Sequence, residues 1–375
     1  MAKVEFYRHA LKEEDIAAAA EVLRGIFLTT GPKTAKFEQA FAEYLGVNHV
    51  VGVMSCTAGL FLSLEALGIG PGDEVITTPM TFIATANTIL HAGAKPVFVD
   101  VEPETGNIDV ARVAAAINGR TKAIMPVHLY GLMADVRKLD ELCKKHNLFM
   151  IEDAAHATEA ARDGARPGVL GHTSCFSFYA TKNLTCGEGG AVATNDPELN
   201  DKLRWLRQHG MSKSAADRYT GTYQHWDMIG LGFKANLTDV QAALLLGQLP
   251  RLAAQLKRRE EVAQRYEQAF CKLQNVRFPR VVPGAVSARH LFTIWVPPAR
   301  RDEILVALQT RGIGVAVNYR AIHLLSYYRQ QFGFKPGDFP IAERIGDSTI
   351  TLPLYPGISD EAVDEVISAV SEVAG

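Results

Sequence analysis

One lysine sits in a segment whose composition is suited to chemistry: Ser177-Phe178-Tyr179-Ala180-Thr181-Lys182-Asn183-Leu184-Thr185-Cys186-Gly187-Glu188-Gly189-Gly190. Small and hydroxyl residues surround the lysine, and glycines follow it. An amine becomes a nucleophile when burial or neighbours lower its pKa. Glycines let the backbone pass close to a bound group. A surface lysine in a β-turn is the plain alternative, and the length of the segment weighs against it. In Ile151-Glu152-Asp153-Ala154-Ala155-His156 an apolar run delivers Asp153 at its carboxyl end, with His156 just beyond. A carboxylate there can hold a protonated ring nitrogen. It can equally cap a following helix.

Two further segments carry polar groups at helix starts. Ser55-Cys56-Thr57-Ala58-Gly59 lies between an apolar run ending at Val53 and a helical pattern. Free N–H groups and the helix dipole there attract an anion. An ordinary helix with Thr57 as N-cap fits as well. The segment is neither a Walker A loop nor G-x-G-x-x-G. In Gly232-Phe233-Lys234-Ala235-Asn236-Leu237-Thr238-Asp239, Asn236 or Thr238 can cap the next helix, or Asn236 can reach a ligand.

These groups need a frame that brings them together. Apolar runs at Val50–Val53, Glu74–Thr77, Pro96–Val99, Ala123–Val127 and Leu148–Ile151 alternate with helical patterns. Runs apolar throughout suit a parallel sheet covered on both faces. Ligands of such sheets bind beyond the strands' carboxyl ends. Strands are also expected over Ser174–Phe178 and Ala191–Thr194, and a helix over Pro197–His209. A long helix from Leu237 past Glu261 should be kinked or divided at Pro250. Beyond residue 275, strands (Leu291–Val296, Gly314–Asn318) alternate with helices (Asp302–Arg311, Asp360–Val373). The class is α/β, with a mostly parallel mixed sheet in a large domain (13–245) and a smaller α+β domain (246–375, joined by the arm 1–12).

The 375 residues, 47% hydrophobic and 21% charged, exclude intrinsic disorder. With 39 Lys+Arg against 41 Asp+Glu, no basic excess points to nucleic acid. The five cysteines lack C-x-x-C spacing, so no metal site or disulfide framework is expected. Free thiols suit a reducing cytoplasm. No signal core precedes the charged run Lys12-Glu13-Glu14-Asp15, and no stretch matches the ~18 apolar residues of a membrane span.

A phosphate cradle, a strand-end aspartate and a later nucleophilic lysine are together what pyridoxal 5'-phosphate requires. The S-F-x-x-x-K-x-x-x-x-G-E-G-G block and the G-x-x-x-N-x-x-D block carry a further likeness. The sequence resembles the DegT/StrS-type nucleotide-sugar aminotransferases, fold type I pyridoxal-phosphate enzymes. The likeness extends from Phe27-Leu28-Thr29-Thr30-Gly31-Pro32 to Leu352-Pro353-Leu354. Asn183–Cys186 and Lys234–Asp239 make it look closest to enzymes that aminate UDP-linked 4-keto sugars, such as the one forming 4-amino-4-deoxyarabinose.

The resemblance implies that Lys182 forms the Schiff base and moves protons, and that Asp153 pairs with the pyridinium nitrogen. Phe82 would stack on the ring, with His156 beside it. Thr57, Ala58 and Ser177 would contact the phosphate. Asn236 would reach it from a neighbouring subunit, making a homodimer with shared active sites. Thr29, Thr30, Gly31, Tyr179, Tyr319, Arg320 and His323 would face the nucleotide sugar, and glutamate would be the amino donor. Two departures bear on the sugar: Asn318 stands where the family's later loop starts with His, and Tyr179 stands where His is usual. Tyrosine can donate a hydrogen bond but does not titrate near neutrality.

Lysine at 182 argues for amino transfer, because related sugar dehydratases carry His there. A desulfurase needs a catalytic Cys on a mobile loop, and Cys186 is too near Lys182 for that. A glycine C-acyltransferase would share the fold. A pyridoxal-phosphate-binding regulator would carry a DNA-binding element that is missing here, and a nicotinamide enzyme lacks its G-x-G-x-x-G. Glu188 and His128 fit structural roles as well as functional ones. Arg204, Arg207 and His209 fit a solvated helix face.

Overall fold

Seven short strands build the sheet that carries the lysine and the aspartate. The computed structural model describes residues 3–213 and 225–375. In chain order the strands are β1 (His49–Val53), β2 (Glu74–Thr77), β3 (Lys95–Phe98), β4 (Thr121–Ile124), β5 (Phe149–Asp153), the short β6 (Ala161–Arg162), β7 (Thr173–Ser177), β8 (Gly190–Thr194), β9 (Ala285–Val286), β10 (Phe292–Trp295) and β11 (Thr349–Leu352). The main sheet has the order β1-β8-β7-β5-β4-β2-β3. β2, β3, β4, β5 and β7 pair in parallel, whereas β8 runs against both β7 and β1. Six strands therefore end at one edge, and β8 begins there. That edge collects the segments after Val53, Thr77, Asp153 and Ser177.

Alternate residues of each strand enter opposite cores, which is why the strands read as unbroken apolar runs. Met150, Phe176 and Ala191 join Phe37, Phe41 and Phe178 on one face. Ile151, Cys175 and Val192 join Leu60, Leu62 and Leu64 on the other. On the first face Phe178 meets Phe37 and Phe41 edge-on at 5.4 and 5.6 Å between ring centroids. This packing anchors the chain four residues before Lys182.

The long helical stretch is divided. Helix Asp239–Leu246 gives way to a tight turn at Leu249–Arg251, and helix Leu252–Phe270 follows. Pro250 lacks the N–H that would continue the ladder. A separate apolar core joins Tyr266, Phe270, Phe292, Ile294, Leu352 and Val366. Val4 of the N-terminal arm enters it and pairs in parallel with Ile313. The expected strand over Gly314–Asn318 does not form. Beyond the pairing with Val4, only Ala316 is bridged, to Thr351, before the chain leaves the β10–β11 ribbon to present Tyr319.

One capping assignment changes, and one is decided between its two candidates. Ser55, not Thr57, caps helix Cys56–Ala66, accepting from the Ala58 N–H. Thr238 caps helix Asp239–Leu246 in a reciprocal box with Gln241. Asn236 is left for other partners.

Candidate active site

The turn after β7 holds Lys182 at the sheet's edge. Its N–H donates to the Tyr179 carbonyl at 2.9 Å, and the Tyr7 hydroxyl donates to its carbonyl at 3.4 Å. Its Nζ lies 3.4 Å from His290 Nε2. Burial lowers the amine to about 8, while the Cys56 thiol and Asp153 pull it back up. An amine in that range has an appreciable neutral, nucleophilic fraction near pH 7.

Asp153 ends β5 and is held from several sides. The Thr85 hydroxyl donates to Oδ2 at 2.7 Å, and the Ala155 N–H donates to Oδ1 at 3.2 Å. Thr85 accepts in turn from Thr81, at 2.8 Å. No helix follows that Asp153 would cap; its carboxylate is fixed toward the site instead. His156 accepts the Tyr130 N–H at Nδ1 (3.3 Å), so its Nε2 carries the hydrogen and donates to the Tyr319 hydroxyl at 3.1 Å. Burial pushes this ring well below the usual histidine range, and the Lys182 charge adds to the effect. Phe82, 54% exposed, lies 5.9 Å from the Tyr319 ring, a broad apolar face open to a flat ligand.

Thr57 and Ala58 occupy the first turn of helix Cys56–Ala66, and Cys56 Sγ is 3.9 Å from Asp153 Oδ1. The helix start therefore borders the aspartate. Gly190 makes this approach possible: a Cβ there would lie 2.4 Å from the Ser55 carbonyl carbon and 2.6 Å from the Cys56 nitrogen. Ser177 Oγ, buried, accepts from the Tyr179 N–H at 3.3 Å, and Tyr179 itself is exposed. An amine with a lowered pKa, a fixed carboxylate, an open aromatic face and a helix N-terminus fit pyridoxal phosphate at its aldehyde, ring nitrogen, ring and phosphate respectively.

A second cluster forms elsewhere in the chain. Asn236 donates to the hydroxyls of Thr30 (2.7 Å) and Thr29 (3.2 Å). Gly31 N–H donates to Asp239 Oδ1 at 2.8 Å, and a Cβ at Gly31 would lie 2.9 Å from the other carboxylate oxygen. Among the described residues, none of Thr29, Thr30, Gly31 and Asn236 hydrogen-bonds to Lys182, Asp153 or His156. Arg320 is exposed, 3.4 Å from Asp347. His323 departs from its expected place at a sugar. It is wholly buried, its Nε2 3.0 Å from Glu343, and it packs against Phe334 and Phe339. It braces the following loop.

Among other side chains, His128 takes the structural of its two readings and Arg207 departs from the expected solvated face. His128 is buried against Glu152 at 2.8 Å, and Glu152 also accepts from the Gly168 and Gly171 N–H groups, a structural pair. Arg204 and Arg207 both pair with Glu38, and Arg207 is buried, not solvated. His290, Thr85 and Cys56 were not anticipated. His290 is far from Lys182 in sequence, and its only local signal is a polar pair, Arg289-His290, ahead of the apolar β10.

A lysine and an aspartate facing a helix start across the carboxyl edge of this sheet define the fold type I architecture of the pyridoxal-phosphate enzymes. Solved structures agree over nearly the full chain. The aminotransferase-like fold matches DesV of S. venezuelae, solved with a ketimine intermediate, at 38% identity and a TM-score of 0.89, over 96% of this chain and 94% of that one. The sugar aminotransferase Spr1654 of Streptococcus pneumoniae, a putative one by its name, matches in its PMP form at 31% identity and 0.93, over 99% of both chains. Its PLP form matches as well, at 0.91. The spore coat polysaccharide biosynthesis protein SpsC of Bacillus subtilis is 45% identical over 96% of this chain and 94% of its own. The chain belongs to the DegT/DnrJ/EryC1/StrS aminotransferase family, whose model matches residues 9–371. It is a pyridoxal-phosphate-dependent aminotransferase that acts on a sugar. Among the described residues, no helix is long and apolar enough to cross a membrane.

Proposed function

We propose that the enzyme transfers an amino group from glutamate to a nucleotide-linked keto sugar, a UDP-linked 4-keto sugar first among them. The product is an amino sugar for a cell-surface glycan, in line with the polysaccharide named for the Bacillus relative. The observation that carries the reading is the Lys182 amine, lowered to about 8 beside Asp153 and His156. The bound cofactor supplies an electron sink that makes the hydrogen on the amine-bearing carbon acidic.

The chain's own groups do the rest. Lys182 Nζ, once free, carries that proton in a 1,3-shift, from the carbon on one side of the amine nitrogen to the carbon on its other side. A group near 8 is matched to this two-way task at neutral pH. Asp153, fixed by Thr85 and Ala155, holds a positive charge on the ring nitrogen. His156 Nε2–H, aligned by Tyr130, donates a hydrogen bond and takes no proton. Phe82 covers a ring face. Thr57, Ala58 and Ser177 hold the phosphate. Tyr179, Tyr319 and Arg320 face the sugar nucleotide.

Thr29, Thr30, Gly31 and Asn236 serve the partner's site in a homodimer. Large apolar side chains flank them in sequence: Leu23, Ile26, Leu28, Met228, Ile229 and Leu231 are 48–77% exposed in the single chain. Patches of this kind mark interfaces. The enzyme works in the cytoplasm, whose reducing conditions suit its free cysteines. Each subunit divides into a large domain, 13–245, and a small one, 246–375 with the arm 1–12. The separate core around Tyr266 and Phe292, which Val4 joins, supports that division. The test is a glutamate-dependent assay on UDP-, GDP- and dTDP-linked keto sugars. Turnover of a UDP-4-keto sugar is expected. Turnover confined to the other nucleotides would overturn the substrate assignment.

A further inference from the structure

Lys182 has one hydrogen-bond partner on its amine among the described residues, and a buried network prepares that partner. Asn183 Nδ2 donates to Glu159 Oε2 and to the Ala288 carbonyl, each at 2.9 Å. Both amide hydrogens are engaged, so Asn183 Oδ1 is the face turned to His290, 3.2 Å from Nδ1. An amide oxygen only accepts, so the hydrogen of the His290 ring is on Nδ1. A neutral ring then presents a bare Nε2, and this atom lies 3.4 Å from Lys182 Nζ. Arg259, almost wholly buried on helix Leu252–Phe270, ion-pairs with Glu159 and fixes the far end.

We propose that His290 is a positioning residue for the Lys182 amine, accepting one of its N–H bonds at Nε2, with Asn183, Glu159 and Arg259 holding the ring in that orientation. The inference rests on Lys182 being the proton-moving lysine. An amine anchored by one hydrogen keeps a defined direction for its lone pair while it is free of the cofactor. His290 does not take the proton itself. Burial disfavours its charged form, and Lys182, His156 and Arg259 add to this from three sides. The other groups facing the amine are Asp153 from β5, His156 just beyond it and Cys56 from the helix start.

The test follows the rate at which full-length apoenzyme combines with pyridoxal phosphate, as a function of pH. For the wild type the midpoint is expected near 8. An acceptor favours the charged amine, so His290→Leu should move the midpoint down by about one unit. It should also lower kcat about tenfold with KM for glutamate unchanged, because the ring touches the lysine and not the donor. His290→Gln, whose amide oxygen can accept in place of Nε2, should restore both. Asn183→Ala, which frees the ring to change tautomer, should act in the same direction by less, and it decides the matter if His290→Leu fails to fold. A wild-type midpoint and kcat in the folded variants would overturn the proposal. Borohydride labelling separates the two readings. No label at Lys182 of the wild type would remove the premise, whereas a normal label with an unmoved midpoint would remove the role of His290 alone.

Discussion

At the scale of residues, a buried amine must be both dischargeable and well aimed. Burial does the first, and its cost is measurable. The folded apoenzyme holds Lys182 near 8 against 10.5 for a free lysine. Below 8 both folded and unfolded states carry the charge, and the folded state bears the full penalty, on the order of 3 kcal/mol. Between 8 and 10.5 the unfolded chain binds more protons, so stability rises with pH. Apo Lys182→Met should thus unfold at higher denaturant than the wild type at pH 7, and the gap should narrow as pH rises through that window. A gap independent of pH would contradict the burial argument. Thr85→Val tests the aim of the aspartate. It removes the 2.7 Å hydrogen bond to Asp153 Oδ2. Hydrogen bonds to charged groups contribute roughly 1.5–3 kcal/mol, so kcat should fall about tenfold or more with the fold intact by circular dichroism.

At the scale of elements, the site is the meeting of β5, β7 and β8 with the start of helix Cys56–Ala66. β8 supplies the room by having no side chain at its first residue. Gly190→Ala would set a methyl 2.4 Å from Ser55, against backbone that cannot turn aside. Overpacking of this kind costs typically 1–3 kcal/mol. A lower melting temperature and weaker cofactor retention on gel filtration are both expected. Much of this layer was legible in the sequence. Each strand is a short apolar run, and Pro250 and the glycine turn punctuate the chain. The reversed β8 and the edge position of β1 were not, because an apolar run carries no direction. Gly314–Asn318 alternates like a strand, yet within it only Ala316 is bridged, to Thr351. His323 shows the same gap at the site. Its motif names a residue type and a spacing, and only packing reveals that the ring is enclosed by Phe334, Phe339 and Glu343. Lys182 and Asp153 could be read because they lie on the elements that define the fold. His290 could not, because it reaches the lysine across 108 residues through tertiary structure alone.

At the scale of the whole molecule, a net charge of −2 leaves no global field to draw in an anionic substrate, so local helix ends and single side chains must bind it. The proposed dimer makes those contributions cross between subunits. Asn236→Ala and Lys182→Ala homodimers should each be nearly inactive. Mixing and refolding the two should restore about a quarter of the wild-type sites, since half the dimers are hybrid and each hybrid holds one intact site. No recovery in verified hybrids would place Asn236 in its own subunit's site or in none. The most direct test of the whole account is chemical. The yellow holoenzyme, reduced with borohydride and digested, should lose its colour and carry a pyridoxyl group on the peptide containing Lys182. A pyridoxyl group on any other lysine, or colour that survives reduction with no peptide labelled, would contradict it.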